Sequence, residues 1–134
     1  MVDLQTSKIL DIKSKINGKY SVYFNDNEIS LYKYLLLDKN NIFVIDKNIF
    51  KIYEKDFSGI VKSKRFLLID PSEGNKSINY SQKIILKLLD LKVRKNSKLV
   101  AVGGGITQDI VAFISSIIFR GIDWIFIPTT LLAQ

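Results

Sequence analysis

The stretch that decides the fold is LVAVGGGITQDIVAFISSIIF, residues 99–119. Its first four residues are apolar, which is typical of a short strand buried on both faces of a parallel sheet. Three glycines follow, and residues 106–119 are apolar enough for a buried helix that Gly121 would end. The stretch therefore predicts a strand, a glycine-rich turn and a helix in succession.

The same order recurs on both sides of this stretch. Short apolar runs end at polar or proline residues, and helical segments separate them. Such alternation predicts an α/β domain with a doubly wound, mostly parallel, Rossmann-like sheet. The runs are 42–45, 65–69, 99–102 and 124–127, and the helical segments are 49–55, 78–91 and 106–119.

The first forty residues predict a different kind of structure. Residues 19–24 are rich in aromatic and β-branched side chains, and 25–27 (Asn-Asp-Asn) are typical of a turn. Ser30 is positioned to cap a short helix that runs through Leu37. We therefore expect a β-rich segment before the α/β part.

Composition limits the classes of protein that need to be considered. Apolar residues make up 47% and charged residues 25% of the 134, which fits one soluble globular domain. The net charge is +7, but the lysines are spread along the chain and no basic stretch carries interleaved aromatics. This distribution argues against nucleic acid, and a small anionic substrate or a cofactor phosphate explains positive charge at least as well.

The chain contains no cysteine and no histidine. Disulfides and thiolate metal sites are excluded, and so are the commonest metal ligand and the commonest general base. There is no signal-peptide pattern and no run of about 20 apolar residues, so we expect a cytoplasmic protein without a membrane partner.

The candidate binding residues all follow predicted strands, where ligands bind in open α/β sheets. Gly103, Gly104 and Gly105 would let the backbone adopt positive φ and approach a pyrophosphate at a helix N-terminus. A tight turn without any ligand is the alternative, and the spacing does not match Gly-x-Gly-x-x-Gly. Asp109, in the first turn of that helix, either complements the helix dipole or accepts a hydrogen bond from a nucleotide.

Other polar residues also follow predicted strands or helices. Asp46 would either accept hydrogen bonds from a ribose or cap a helix. The loop 71–77 is typical of a solvated loop, with Ser77 as a helix cap. From the residues alone, a hydroxyl of Thr129 or Thr130 would cap a helix, and Arg120 would satisfy the last carbonyls of a helix.

Together these segments resemble the 3-dehydroquinate synthase family. The resemblance is carried by VGGGITQDIVAF (102–113), FRGI (119–122), IPTTLLAQ (127–134) and SEGNK (72–76), which is similar to the Gly-Glu-x-x-Lys loop of the family. It is dense from about residue 46 to 134 and weak before. The order and spacing of four motifs make it specific.

The resemblance implies an NAD-binding domain over residues 1–134 and a role for each loop. Asp46 would hold the adenosine ribose, and Arg120 would reach the phosphate of the substrate, across a dimer interface. No residue of the chain is assigned to catalysis or to a metal. The implied cofactor-binding residues are Asp46, Glu73, Lys76, Gly103, Gly104, Gly105, Asp109, Thr129 and Thr130.

Members of this family convert a sugar acid phosphate into a carbocycle in the shikimate pathway of aromatic amino acid biosynthesis. NAD oxidises an alcohol transiently, phosphate is eliminated, and a divalent zinc or cobalt ion polarises the alcohol, so the net reaction is that of a lyase. The family continues beyond the match with Asp-Ser-x-x-Gly-Gly-Lys and a helical domain that carries a Glu and two His metal ligands. We therefore expect a truncated chain, inactive alone and homodimeric at full length; phosphate release by the chain alone would contradict this.

Two departures and two rivals stay open. Gln108 and Ser72 stand where the family usually has glycine, which fits a related cyclase with another sugar phosphate. The Gly-Gly-Gly, Asp and Pro-Thr-Thr pattern also resembles metal-dependent alcohol and glycerol dehydrogenases, although Ala112 and Phe113 replace their usual lysine. Net NADH accumulation would favour that group. A remnant that only binds nucleotide is the second rival.

Overall fold

The protein is described by a computed structural model that covers residues 8–15, 18–24 and 28–134. None of the helices in these ranges is long and apolar enough to cross a membrane. In chain order the elements are β1 (Lys8–Ser14), β2 (Gly18–Phe24), α1 (Glu28–Leu37), β3 (Asn41–Asp46), α2 (Lys47–Ile52), α3 (Ser58–Ser63), β4 (Phe66–Ile69), α4 (Ile78–Asp90), β5 (Lys98–Gly103), α5 (Gly105–Ile117) and β6 (Asp123–Pro128), with short 3-10 turns at Glu73–Asn75, Ile118–Arg120 and Leu131–Ala133.

The main sheet has four parallel strands in the order β4-β3-β5-β6. This confirms the predicted doubly wound α/β fold. After β3 the chain adds β4 on one side, and it then returns to add β5 and β6 on the other side. The strand order therefore reverses between β3 and β5, which is the place where ligands bind in sheets of this kind.

Side chains of β3 and β5 alternate between two hydrophobic cores. Ile42 and Val44 pack on the side of α4 and α5, whereas Phe43 and Ile45 pack on the side of α1 and α3. All six residues of β3 are buried. Because both faces of each central strand are covered by helices, the strands read as continuous apolar runs in the sequence.

The N-terminal segment forms an antiparallel pair, in which β1 and β2 are in register from Lys8–Phe24 to Ser14–Gly18. This confirms the predicted β structure at 19–24. The predicted turn at 25–27 lies outside the described residues. The predicted cap at Ser30 is wrong, since α1 begins at Glu28 and Ser30 is inside it.

The helix predicted at 49–55 is confirmed only over 49–52, where it overlaps α2, and α3 is a further helix that was not predicted. α2 begins early because Asp46 caps it, and α3 buries Ile60 completely. The predicted cap at Ser77 is confirmed, because its hydroxyl accepts the amide of Tyr80 and caps α4. The helix predicted over 106–119 ends earlier than expected: α5 stops at Ile117, and Gly121, at a φ of 95°, ends the 3-10 turn Ile118–Arg120 that follows.

Candidate functional site

The loops predicted to bind a ligand lie at one edge of the sheet. The strand register pairs Asp46 with Ile69 and Gly103 with Pro128, so the carboxyl ends of all four strands are level. The loop after β4, the glycine turn and Thr129 follow directly. The sheet therefore brings together residues that are as much as 84 positions apart in the sequence, from Asp46 to Thr130.

Lys76 joins two of the predicted segments through ion pairs. Its Nζ lies 2.9 Å from Oδ2 of Asp109 and 3.2 Å from Oε1 of Glu73. Lys76 and Asp109 border a cleft of about 180 Å³ between the start of α4 and α5, with Phe113 and Ile110 on its apolar side. Two carboxylates face one ammonium, so the cluster carries one excess negative charge and Lys76 is held in place.

The ion pairs raise the pKa of Lys76 above its ordinary value of 10.5, first through the hydrogen bond to Asp109 and then through that to Glu73. A pKa that is higher in the folded than in the unfolded chain stabilises the fold fully below the unfolded pKa. That contribution is lost as the pH rises through the folded pKa.

We expect the stability difference between the wild-type chain and Lys76→Gln to shrink as the pH rises from about 9 to about 12. Urea unfolding of both proteins at a series of pH values measures it, and Lys83→Gln, on the exposed side of α4, is the control for loss of one charge. A difference that stays constant over this range would show that the ion pairs do not stabilise the fold.

The loop after β4 is fixed by contacts that the sequence did not reveal. The amide of Asp70 donates to the hydroxyl of Tyr80 over 2.8 Å, and Nδ2 of Asn75 donates to the carbonyl of Asp70 over 3.0 Å. Lys47 Nζ lies 2.9 Å from Oδ2 of Asp70. Lys47 and Asp70 each follow a strand end, but only the pairing of β3 with β4 makes them neighbours.

The glycine turn differs from its predicted conformation. Positive φ was predicted here, but none of Gly103, Gly104 and Gly105 adopts it. Among the described glycines, only Gly18 and Gly121 have a positive φ. Close packing explains two of the three instead. A Cβ on Gly103 would lie 2.4 Å from Oγ1 of Thr107, and one on Gly104 would lie 3.0 Å from Cγ2 of Thr130.

Gly105 is the exception in this turn. A Cβ at Gly105 would meet no atom within 4 Å, so packing in the chain does not explain this glycine. It is exposed, and it is the first residue of α5, where amide groups have no partner within the helix. Its open surface suits the close approach of an anion.

Asp46 acts as a helix cap. Its Oδ1 accepts the amide of Asn48 over 2.7 Å and that of Ile49 over 3.4 Å. This confirms the cap interpretation and leaves the ribose interpretation untested. Because both bonds end on Oδ1, Oδ2 stays available to a hydroxyl donor.

Asp109 was predicted to lie in the first turn of its helix, and this prediction is wrong. It is the fifth residue of α5, because the helix begins one residue earlier than predicted, at Gly105. Its carboxylate therefore pairs with Lys76 and does not cap the helix.

The two threonines after β6 do not cap a helix through their hydroxyls. Thr130 precedes the turn Leu131–Ala133 without a side-chain cap bond. The amide of Thr129 donates to the carbonyl of Gly103 over 2.9 Å and ties the two strand ends together. Oγ1 of Thr129 is buried and makes no hydrogen bond within the described part of the chain, which leaves it able to bind a ligand group.

Arg120 is separate from this cluster. It has a φ of 63° and precedes β6, so it lies toward the amino ends of the strands. Its guanidinium makes no hydrogen bond or ion pair with the residues that the structure describes, so the predicted bonds to the last helix carbonyls are not formed.

Comparison with known sequences places this geometry in a family. The chain is 34% identical over 126 residues to 3-dehydroquinate synthase of Picrophilus torridus, covering 93% of this chain and 36% of that protein. It is 36% identical over 132 residues to the enzyme of Alkaliphilus oremlandii, covering 92% and 36%. The chain thus spans about a third of the length of these curated relatives.

Solved structures of sugar phosphate cyclases share the fold. 2-Deoxy-scyllo-inosose synthase, solved with carbaglucose-6-phosphate, NAD⁺ and Co²⁺, matches with a TM-score of 0.74 at 21% identity, over 96% of this chain and 36% of that one. 2-Epi-5-epi-valiolone synthase from Streptomyces hygroscopicus, with NAD⁺ and Zn²⁺ bound, matches with a TM-score of 0.61 at 26% identity, over 69% and 27%.

The family model described as 3-dehydroquinate synthase N-terminal matches residues 66–134, from β4 through the glycine turn to the threonines after β6. This is just over half of the chain and includes the ion-paired loop, the glycine turn and α5. The chain therefore belongs to the 3-dehydroquinate synthase family and corresponds to its N-terminal part.

Proposed function

We propose that residues 1–134 form the NAD-binding domain of a 3-dehydroquinate synthase-like sugar phosphate cyclase. The observation that carries this proposal is the ion-paired cluster of Glu73, Lys76 and Asp109, which lies beside the glycine turn where the strand order reverses. Ligands of open α/β sheets bind at that point. The solved relatives that bind NAD⁺ have the same fold.

The residues present fit a dinucleotide. The open surface of Gly105 and the free amides at the start of α5 suit a pyrophosphate. Oγ1 of Thr129 has no hydrogen-bond partner among residues 8–15, 18–24 and 28–134, and Oδ2 of Asp46 is available to a ribose hydroxyl. We infer that Gly103 and Gly104 shape this turn, and that Thr130, packed on Gly104, holds it against the end of β6.

When bound, NAD supplies transient oxidation of a substrate alcohol and is regenerated when the carbonyl is reduced. The role of this chain is to bind and orient the dinucleotide. Lys76 would donate to the cofactor while Asp109 and Glu73 hold its ammonium in position. Among the described residues no group of three His, Cys, Asp or Glu could hold a metal ion, so we infer that other residues hold the zinc or cobalt of the complete enzyme.

We propose a sugar acid phosphate as the substrate and phosphate elimination with ring closure as the reaction. The curated relatives are 3-dehydroquinate synthases, whereas the solved relatives cyclise other sugar phosphates. Gln108, partly buried beside Asp109, stands where the family usually has glycine. We propose that the complete enzyme is a homodimer to which Arg120 contributes a phosphate contact, and that the chain alone is inactive.

The test is calorimetric titration of the chain with NAD. We expect binding by the wild-type chain and an affinity about tenfold to a hundredfold lower for Lys76→Gln, because a charge-assisted hydrogen bond contributes about 1.5–3 kcal/mol. Lys83→Gln removes the same charge from the exposed side of α4 and should bind within about twofold of wild type. No binding by the folded wild-type chain, or equal losses in both variants, would overturn the proposal.

A further inference from the structure

An open groove of about 720 Å³ lies at the edge of the sheet opposite the proposed NAD site. It runs between the connection from α4 to β5 and the end of α5, near the amino ends of β5 and β6. Leu89, Val93 and Phe119 form its apolar surface. Its volume is in the range of small-molecule sites.

Three basic residues line the groove within four positions of sequence, namely Lys92, Arg94 and Lys95. None of them forms an ion pair with the residues that the structure describes. Among those residues, the lysines that form ion pairs are Lys47 and Lys76. Lys95 donates one bond to the carbonyl of Gly121, which leaves two ammonium protons. The groove therefore carries three positive charges that no carboxylate of the described residues neutralises, and their field favours an anion.

The backbone under these charges is held rigidly. The amide of Arg94 donates to Oγ of Ser97 over 2.9 Å, and the amide of Ser97 donates back to the carbonyl of Arg94 over 2.9 Å. Val93, which is buried, donates its amide to the carbonyl of Leu88. Because the backbone is already ordered, an anion bound here would pay little entropy for ordering the loop.

Two groove residues occupy backbone conformations that favour glycine. Lys92 has a φ of 60° and Phe119 a φ of 50°. At the end of α4 the amide of Lys92 donates to the carbonyl of Leu89, and the amide of Val93 donates to the carbonyl of Leu88. These two bonds form a common type of helix ending, in which the position of Lys92 is usually occupied by glycine. Both side chains are thus kept at strained positions that face the same groove.

We propose that this groove binds a phosphate monoester, with the phosphate on Arg94 and Lys92 and the organic part on Phe119 and Leu89. The fork of the Arg94 guanidinium matches phosphate oxygens in pairs. The apolar surface favours an ester over the free ion. The alternative is that these basic side chains only complement the negative end of the helix dipole of α4. That role would require neither a groove nor an apolar surface beside the charges.

The test is a titration of the isotope-labelled chain with phenyl phosphate, inorganic phosphate and phenol, followed by backbone amide chemical shifts. We expect phenyl phosphate below about 10 mM to shift residues 92–96 and 119, inorganic phosphate to bind at least about threefold more weakly, and phenol not to bind. Equal affinity for the ester and the free ion would overturn the monoester assignment. No shifts at these residues would overturn the site.

A matched pair of variants separates a site from general positive charge. Arg94→Gln removes the guanidinium and should weaken the binding of phenyl phosphate at least about fivefold. The backbone bonds between residue 94 and Ser97 are retained, so the loop should keep its conformation. Lys83→Gln, exposed on α4 and outside the groove, should change affinity less than about twofold. Equal weakening by both variants would show that the net charge alone attracts the anion, and the proposal would fail.

Discussion

Replacing Gly103 with alanine is expected to lower the free energy of unfolding by about 3 kcal/mol, at the upper end of the usual cost of overpacking a core. The added Cβ would lie 2.4 Å from Oγ1 and 2.7 Å from Cβ of Thr107. Both residues are buried, and Thr107 is in the first turn of α5, so relief requires β5 and α5 to move apart. Denaturant unfolding followed by circular dichroism measures the loss.

Two controls make this result specific. Gly105→Ala adds the same methyl group two residues later, where no atom lies within 4 Å, and should leave stability unchanged or slightly raised because alanine is the better helix former. Thr107→Ala in the Gly103→Ala background removes Oγ1 and Cγ2 and should recover part of the loss. Strictly additive losses in this double-mutant cycle would show that Thr107 is not what the methyl group meets.

The sequence predicted those parts of the fold that depend on local pattern. Each central strand is an apolar run because both its faces are covered, so 42–45 and 99–102 were recognisable without knowledge of their neighbours. The helix at 58–63 was not predicted. Its segment has Gly59 and few apolar residues, and it is helical because Ile60 packs into a core assembled from distant strands.

The candidate site was likewise predicted from the sequence only in part. The resemblance supplied the residues at the carboxyl edge, and their order along the chain placed each of them after a strand. Sequence could not predict that Lys76 reaches Asp109 across 33 positions, because that contact depends on how α4 and α5 pack. It also gave the wrong reason for two glycines: Gly103 and Gly104 are required by Thr107 and Thr130 and not by positive φ.

Gly105→Ala is expected to weaken NAD binding by about tenfold to a hundredfold while the chain stays folded. The added methyl group would project into the open space at the start of α5, where we propose that the pyrophosphate approaches the free amides. Losing one charge-assisted hydrogen bond costs about 1.5–3 kcal/mol, which corresponds to that range of affinity. Calorimetric titration with NAD gives the affinity, and thermal unfolding confirms that the variant is folded.

Gly74→Ala is the matched control, because it also adds a methyl group that meets no atom within 4 Å, in the loop that faces this turn. It should bind NAD within about twofold of wild type, since that loop is expected to contribute Glu73 and Lys76 through side chains and not through close backbone approach. Wild-type affinity in folded Gly105→Ala would mean that the pyrophosphate lies elsewhere. In that case the excess negative charge of the Lys76 cluster would have to be matched by another part of the cofactor, and the positively charged nicotinamide ring would be the first group to test there.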